Sequence, residues 1–283
     1  MEIKKVGVVG CGLMGSGITQ VCAQSGYQVV VSEANKELLN KGLASINNFL
    51  TKGIERGKIS QQDKETTIGR IKGTTDIKDF SNCDLVIEAV TENMDLKKKI
   101  FAELDKICPQ HAILSSNTSA LSIIEMAAVT KRADKVLGLH FMNPVPIMPL
   151  LEIVQTIATG NETLETSKKF GKSLGKTIVV AKDTPGFIVN RLHVPYILNA
   201  IRLLEAGIAT REDIDASIKL GLNYPMGPLT LTDFLGNDTL YNIACDMYEK
   251  LKDPQYAPPI LLQKMIAAGW YGRKSGKGFY EYK

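Results

Sequence analysis

The stretch VGVVGCGLMGSGITQ, Val6–Gln20, decides the fold. Val6–Val9 is a short apolar run rich in β-branched residues, Gly10, Gly12 and Gly15 follow with the spacing G-x-G-x-x-G, and Ser16–Gln24 then takes helical patterning. In this order of strand, turn and helix each glycine has a physical reason. Gly10 permits the tight turn, Gly12 lets backbone approach a pyrophosphate, and Gly15 lets helix and strand pack closely, while the helix N-terminus favours phosphate charge. Glycine turns are common, so the context carries the reading. Glu33 ends the next apolar run, where a carboxylate accepts hydrogen bonds from the adenosine ribose and repels a 2′-phosphate. The expected cofactor is NAD, held by Gly10, Gly12, Leu13, Met14, Gly15 and Glu33. NADP is less favoured, because Lys36 reads as a solvated lysine of a first helical turn. Cys11, inside the motif, answers to a need for a small side chain rather than to redox sensing.

Working outward, further strands are expected at Gln28–Ser32, Asp84–Ala89, Ala112–Ser116 and Val136–His140, with apolar runs at Leu150–Val154 and Thr177–Val180. Helical segments separate most of them, which predicts a parallel α/β sheet of Rossmann type covered on both faces. Residues 36–72 carry Leu39, Leu43, Ile46, Leu50 and Ile54 at helical spacing and read as a helical pair inserted into that pattern. At KDTPGFIVNR, Lys182–Arg191, a turn signal gives way to helical patterning that starts at Phe187. The expected organisation is a nucleotide-binding domain over residues 1–183 and an all-α C-terminal domain over residues 184–283.

Composition narrows the class. The 34 Lys+Arg against 30 Asp+Glu leave a net charge of +4 over 283 residues, too weak and too dispersed to point to nucleic acid. No apolar run has the length of a membrane span, so no membrane partner is expected. Five cysteines, scattered and without a Cys-x-x-Cys pair, fit neither a disulfide framework nor a zinc site, so no metal is expected. Met1 leads directly into an apolar strand, which predicts no leader peptide and a cytoplasmic location.

The chain has three histidines, of unequal promise for chemistry. His111 follows a proline in a surface-loop context, and His193 lies on a helix where it can face solvent or another helix. His140 ends the apolar strand KVLGLHF before a segment, MNPVP, that cannot continue as regular sheet. Strand carboxyl ends line the ligand crevice of open α/β sheets. Glu152, a carboxylate within the apolar run PLLEIV, costs several kcal/mol to bury unless partnered. An imidazole held by a glutamate at one nitrogen keeps the other as a general base, which is what alcohol oxidation requires. The bland alternative is a Glu152 exposed on the opposite side of an edge strand.

With these residues in place, seven ordered segments carry a resemblance: VGVVGCGLMGSGITQ, DLVIEAVTEN, SSNTSALSI, LGLHFMNPVPIMPLLEIV, TPGFIVNR, YPMGPLTLTDFLG and GRKSGKGFYEY. They span the chain, which resembles the L-3-hydroxyacyl-CoA dehydrogenase family and, within it, the stand-alone 3-hydroxybutyryl-CoA dehydrogenases. The resemblance implies reversible, NAD-dependent conversion of short 3-hydroxyacyl-CoA to 3-ketoacyl-CoA, a homodimer formed through the helical domain, and substrate held between the two domains. By the same resemblance His140 and Glu152 are the catalytic pair, Ser119 contacts the substrate oxygen and nicotinamide, and Asn190 orients the substrate. Further NAD contacts fall on Glu92, Lys97, Asn143 and Lys274; by pattern Lys97, Lys98 and Lys99 read as a mostly solvated run, of which only Lys97 inherits a role. Coenzyme A contacts fall on Ser45 and Lys52, joined by Arg56 one turn on. The chain departs from the family pattern at Met142, Pro149 and Asn223–Tyr224, the first two near the acyl end of the site. A same-fold dehydrogenase of free hydroxy acids, like the gulonate dehydrogenases, and a non-catalytic relative like the lens crystallins are the competing expectations.

Overall fold

The computed structural model describes residues 2–282, which divide into two compact units, residues 2–184 and 185–282. The first unit is built on a sheet of eight strands: β1 (Lys5–Val9), β2 (Gln28–Ser32), β3 (Ile71–Thr74), β4 (Leu85–Glu88), β5 (Ile113–Ser116), β6 (Val136–Phe141), β7 (Leu150–Gln155) and β8 (Thr177–Lys182). Their spatial order is β3-β2-β1-β4-β5-β6-β7-β8. The central strands are valine, isoleucine and leucine on both faces, and Val8, Ile87, Leu114 and Leu139 are completely buried. Strand order reverses at β1 and β4, so the loops leaving these two strands flank the crevice where α/β sheets take ligands.

Two expectations are corrected here. The sheet is not wholly parallel, because β6 and β7 run antiparallel while the other neighbours are parallel. The connection between Phe141 and Leu150 is too short for a parallel crossover, which takes a dozen or more residues, so the chain must turn straight back. The stretch 36–72 is a helical pair only as far as residue 69: α2 is Lys36–Glu55 and α3 is Gln61–Gly69, after which Ile71 opens β3. That strand, IKGT, lies at the sheet edge and is only half covered, so it shows little apolar alternation.

The remaining helices of the first unit are α1 (Leu13–Gln24), α4 (Met94–Ile107), α5 (Ile123–Ala127) and α6 (Asn161–Ser173). Glycine is required where α1 leaves β1. Gly10 has φ +96°, and a Cβ on Gly15 would lie 1.9 Å from the Gly10 carbonyl oxygen. Asp183, part of the expected turn signal, caps α5: its carboxylate accepts from the backbone of Ile123 at 3.1 Å and of Ile124 at 2.8 Å.

The second unit is helical: α7 (Val189–Glu205), α8 (Arg211–Gly221), α9 (Pro228–Leu235), α10 (Asn237–Leu251) and α11 (Ile260–Ala267). Helix α7 begins two residues after the expected Phe187, because Gly186 (φ +79°) and Phe187 (φ +48°) both hold left-handed backbone. Its inner face, Val194, Ile197, Leu198 and Ile201, meets Leu229, Leu240 and Met247 in a separate apolar core. The C-terminal tail has no long element of its own, and a buried carboxylate, Asp233, makes several of the bonds that hold it. Asp233 accepts from the backbone of Phe279 and Tyr280, from the Tyr282 hydroxyl, each at 2.9 Å, and from the Asn237 amide at 2.8 Å. Asp233→Asn replaces one acceptor oxygen with a donor and is expected to cost about 1.5–3 kcal/mol, the range for hydrogen bonds to a charged group. Faster amide exchange across residues 279–282 is the measurement that checks it.

Candidate active site

The antiparallel turn between β6 and β7 creates the central feature of the first unit. His140 and Glu152 are direct cross-strand partners in the ladder, so their side chains leave the sheet on the same face and lie side by side. His140 Nδ1 is 2.6 Å from Glu152 Oε2. The carboxylate is fully buried and the imidazole is 5% exposed, which excludes a Glu152 facing solvent from an edge strand. A carboxylate only accepts, so the Nδ1 proton points at Glu152 and Nε2 is left as the acceptor. Ser119 Oγ lies 3.1 Å from that Nε2 and donates to it in this tautomer. Asn117 fixes the approach of the two segments, its Oδ1 accepting from the Phe141 backbone at 2.9 Å.

Ser119 is held in turn by Glu92, which accepts from its backbone N–H at 2.9 Å and from Thr118 Oγ1 at 2.8 Å. Behind Glu92 lies a buried ion pair. Lys97 Nζ is 2.7 Å from Glu88 Oε1 and 3.5 Å from Glu92 Oε2. Lys97 is therefore not one of a solvated lysine run; it is 1% exposed, on the inner face of α4 with Phe101 and Leu104, whereas Lys98 pairs near the surface with Glu125. Glu88, completely buried, also accepts from Ser116 Oγ and the Val90 backbone, each at 2.6 Å. A carboxylate inside an apolar run, the sequence signal that marks Glu152, also marks Glu88 in DLVIEAV, a residue absent from the sequence candidates.

The glycine motif opens on a cavity of about 620 Å³ in the first unit, lined by Gly10, Gly12, Leu13, Met14 and Glu33 among others. A Cβ on Gly12 would meet no neighbour within 4 Å, so the missing side chain leaves the start of α1 open to a ligand. Glu33 Oε1 accepts from the Cys11 backbone at 2.9 Å and Oε2 from that of Ala34 at 2.9 Å, which fixes the carboxylate at the cavity wall. An open helix N-terminus, an apolar cavity and an acceptor carboxylate at its edge fit a dinucleotide that lacks a 2′-phosphate. Burial first, and then the Glu33 charge, push the Cys11 thiol up to about 12, so it remains protonated at neutral pH.

Lys52, in the last turn of α2, and Arg56, at its cap, line a second cavity of about 530 Å³ together with Pro146 and Ile147. Ser45 lies farther up α2, where a small cleft brings it together with Asn143. Of the other sequence candidates, Asn190 occupies the first turn of α7 in the second unit. Lys274 belongs to the clamped tail there, its Nζ 2.6 Å from the Asp238 carboxylate. His111 is exposed beside Asp84 at 3.1 Å, and burial lowers the pKa of His193.

Comparison with known proteins agrees along the whole chain. Residues 5–184 match the NAD-binding domain of 3-hydroxyacyl-CoA dehydrogenase, and residues 186–282 match the C-terminal domain of the same family. The 3-hydroxybutyryl-CoA dehydrogenase of Mycobacterium tuberculosis is 47% identical over 282 residues, covering 99% of each chain. The human mitochondrial hydroxyacyl-coenzyme A dehydrogenase is 44% identical over 289 residues, with 99% of this chain and 92% of the relative covered. The crystal structure of (S)-3-hydroxybutyryl-CoA dehydrogenase from Ralstonia eutropha superposes with a TM-score of 0.95 at 43% identity and full coverage of both chains. Matched in both of its units, and close to half identical end to end with named members, the chain belongs to the 3-hydroxyacyl-CoA dehydrogenase family of NAD-dependent oxidoreductases.

Proposed function

We propose that this enzyme interconverts (S)-3-hydroxybutyryl-CoA and acetoacetyl-CoA, with His140 as the base that takes and returns the hydroxyl proton. The observation that carries this reading is the buried 2.6 Å pairing of His140 Nδ1 with Glu152, which leaves Nε2 free of its own proton and turned toward Ser119. In the oxidative direction Nε2 accepts the proton of the 3-hydroxyl group while the C3 hydride departs, giving ketone, reduced cofactor and one proton. Bound NAD supplies the hydride acceptor. Glu152 stabilises the imidazolium as it forms. Ser119 is suited to donate to the substrate oxygen, a role worth about 3 kcal/mol per donor in comparable sites, and Asn190 is the candidate for orienting the substrate.

Glu33 would take the ribose hydroxyls, and Glu92, Lys97, Asn143 and Lys274 are the further cofactor candidates. Lys97 acts in this reading chiefly through Glu92, since its ammonium is buried against Glu88. Lys52 and Arg56 supply cations for coenzyme A phosphates, with Ser45 beside them on α2. The short acyl chain is supported by relatives named for 3-hydroxybutyryl-CoA, from Mycobacterium tuberculosis and Ralstonia eutropha. Among the described residues no helix is long and apolar enough to cross a membrane. The second unit exposes Leu192, Ile208 and Leu220, apolar surface that a second copy of the chain would cover in a homodimer.

Initial rates of NADH oxidation test the reading. Acetoacetyl-CoA is expected to be reduced at least tenfold more efficiently than free acetoacetate and than longer 3-ketoacyl-CoAs, because it alone engages both the cations and a short acyl site. NADPH is expected to be a poorer donor than NADH. Equal rates with free acetoacetate would remove the coenzyme A assignment, and a preference for NADPH would remove the role given to Glu33.

A further inference from the structure

The segment between the two catalytic strands, residues 142–149, carries Asn143 and supplies Pro146 and Ile147 to the cavity that Lys52 and Arg56 line. It has no regular secondary structure, so its shape depends on what ties it down. Its own backbone contributes a turn, with the Ile147 and Met148 N–H groups each donating to the Pro144 carbonyl at 3.0 Å. Thr177 N–H holds its far end through the Pro149 carbonyl at 2.8 Å. Val145 is buried against helix α1 at Gly17, where a Cβ would come within 2.9 Å of the valine side chain.

The remaining tie comes from a distant part of the sequence. Helix α6 ends in a glycine turn: Gly175 has φ +71°, and the Lys176 N–H reaches back to the Gly171 carbonyl at 3.2 Å. This turn directs the Lys176 side chain inward, where its ammonium donates to the Val145 carbonyl at 2.6 Å and the Met148 carbonyl at 2.8 Å. Among the described residues these two carbonyls are its acceptors, and the side chain is 8% exposed. A lysine spent on two backbone carbonyls, with no carboxylate neutralising it, loses solvation that a surface position would have kept. What it gains is a fixed geometry for a segment that regular secondary structure does not hold.

We propose that Lys176 is a positioning residue for acyl-CoA binding: its ammonium pins residues 145–148 and thereby sets the wall that Pro146 and Ile147 give to the Lys52–Arg56 cavity. The proposal rests on the coenzyme A reading given above. Burial lowers the Lys176 pKa, in keeping with an ammonium held where it is desolvated. His140 and Glu152 do not depend on this tie, because the β6–β7 ladder sets their register directly. Loss of the tie should therefore separate binding from turnover.

The test compares wild type with Lys176→Met, using acetoacetyl-CoA and NADH, well below the melting temperature of each protein. KM for acetoacetyl-CoA is expected to rise about tenfold, the equivalent of one lost positioning interaction, with kcat changed by less than about threefold. Calorimetric binding of coenzyme A itself should weaken to the same degree, and amide exchange across residues 142–149 should accelerate. A folded variant with unchanged KM and unchanged coenzyme A binding overturns the proposal, as does one in which only the melting temperature falls. Should Lys176→Met fail to fold, Lys176→Gln, which keeps a shorter donor, is read by the same criteria. If wild type itself neither reduces acetoacetyl-CoA nor binds coenzyme A, the functional reading has failed, a result distinct from normal binding by the variant.

Discussion

Glu152→Gln is expected to lower kcat by about 10²–10⁴-fold, the range for loss of a working general base, with NADH affinity changed little. The substitution barely alters shape, so the effect follows from proton placement. A carboxylate accepts only, and it holds the imidazole with its proton on Nδ1 and its lone pair on Nε2. An amide can instead donate to Nδ1, and the proton then moves to Nε2, where a base cannot have it. His140→Gln removes the proposed base outright and should lose turnover to a similar extent, while its amide still reaches toward the Glu152 carboxylate. The two changes act on one unit, so the double variant should be hardly slower than the worse single one. Single-turnover reduction of acetoacetyl-CoA, with NADH binding followed separately by fluorescence, checks each point. Near wild-type turnover in either single variant would show that another group takes the proton.

The second large effect concerns stability. Lys97→Met takes the ammonium away from Glu88, leaving a completely buried carboxylate with only the Ser116 hydroxyl and the Val90 amide among the donors described here. Breaking a buried pair from one side costs about 3–5 kcal/mol, far more than the pair itself contributes relative to an apolar replacement. For a unit of this size, at roughly 2–4 °C per kcal/mol, the unfolding of the first unit should move down by on the order of 10 °C. Combining Lys97→Met with Glu88→Gln removes the stranded charge yet keeps an acceptor for Ser116 or Val90. The double variant is expected to recover more than half of the loss, and calorimetry of the two single variants and the double reads the coupling directly. A Lys97→Met protein melting within a degree or two of wild type would mean that the pair is solvated when the protein is free in solution.

Much of this was legible in the chain because a few positions obey strict local rules. The glycine turn after Val9 is informative because its strand and helix neighbours are written in the pattern around it. His140 and Glu152 could be picked out as a strand-end histidine and a carboxylate in an apolar run. Their actual relation depends on strand direction, which apolar pattern does not encode. The clue was the length of the intervening segment, too short for a parallel crossover, and it was there to be used. Three consecutive lysines look like surface and so disguise Lys97, whereas its spacing to Phe101 and Leu104 puts it on the buried face of α4. Strand β3 escaped notice for the opposite reason: an edge strand pairs through backbone and needs little apolar side chain. Lys176 gave no local sign, since its acceptors lie about thirty residues away and are main-chain atoms, to which sequence is blind.

The carboxylate of Glu33 has a consequence for anyone wishing to redirect this enzyme to the phosphorylated cofactor. Exchanging it for a neutral or basic side chain is the obvious first step, yet Glu33 also closes the glycine loop by receiving the Cys11 amide, which is nearly inaccessible to water. An engineered chain without that oxygen leaves a buried N–H unanswered, a penalty of about 1–3 kcal/mol, at the place where the pyrophosphate must be received. On the role proposed for Glu33, cofactor specificity and loop integrity are coupled through one side chain. A successful redesign has to install a new acceptor for Cys11 N–H along with the new phosphate site, and single-residue exchanges at position 33 should yield enzymes weak with both cofactors.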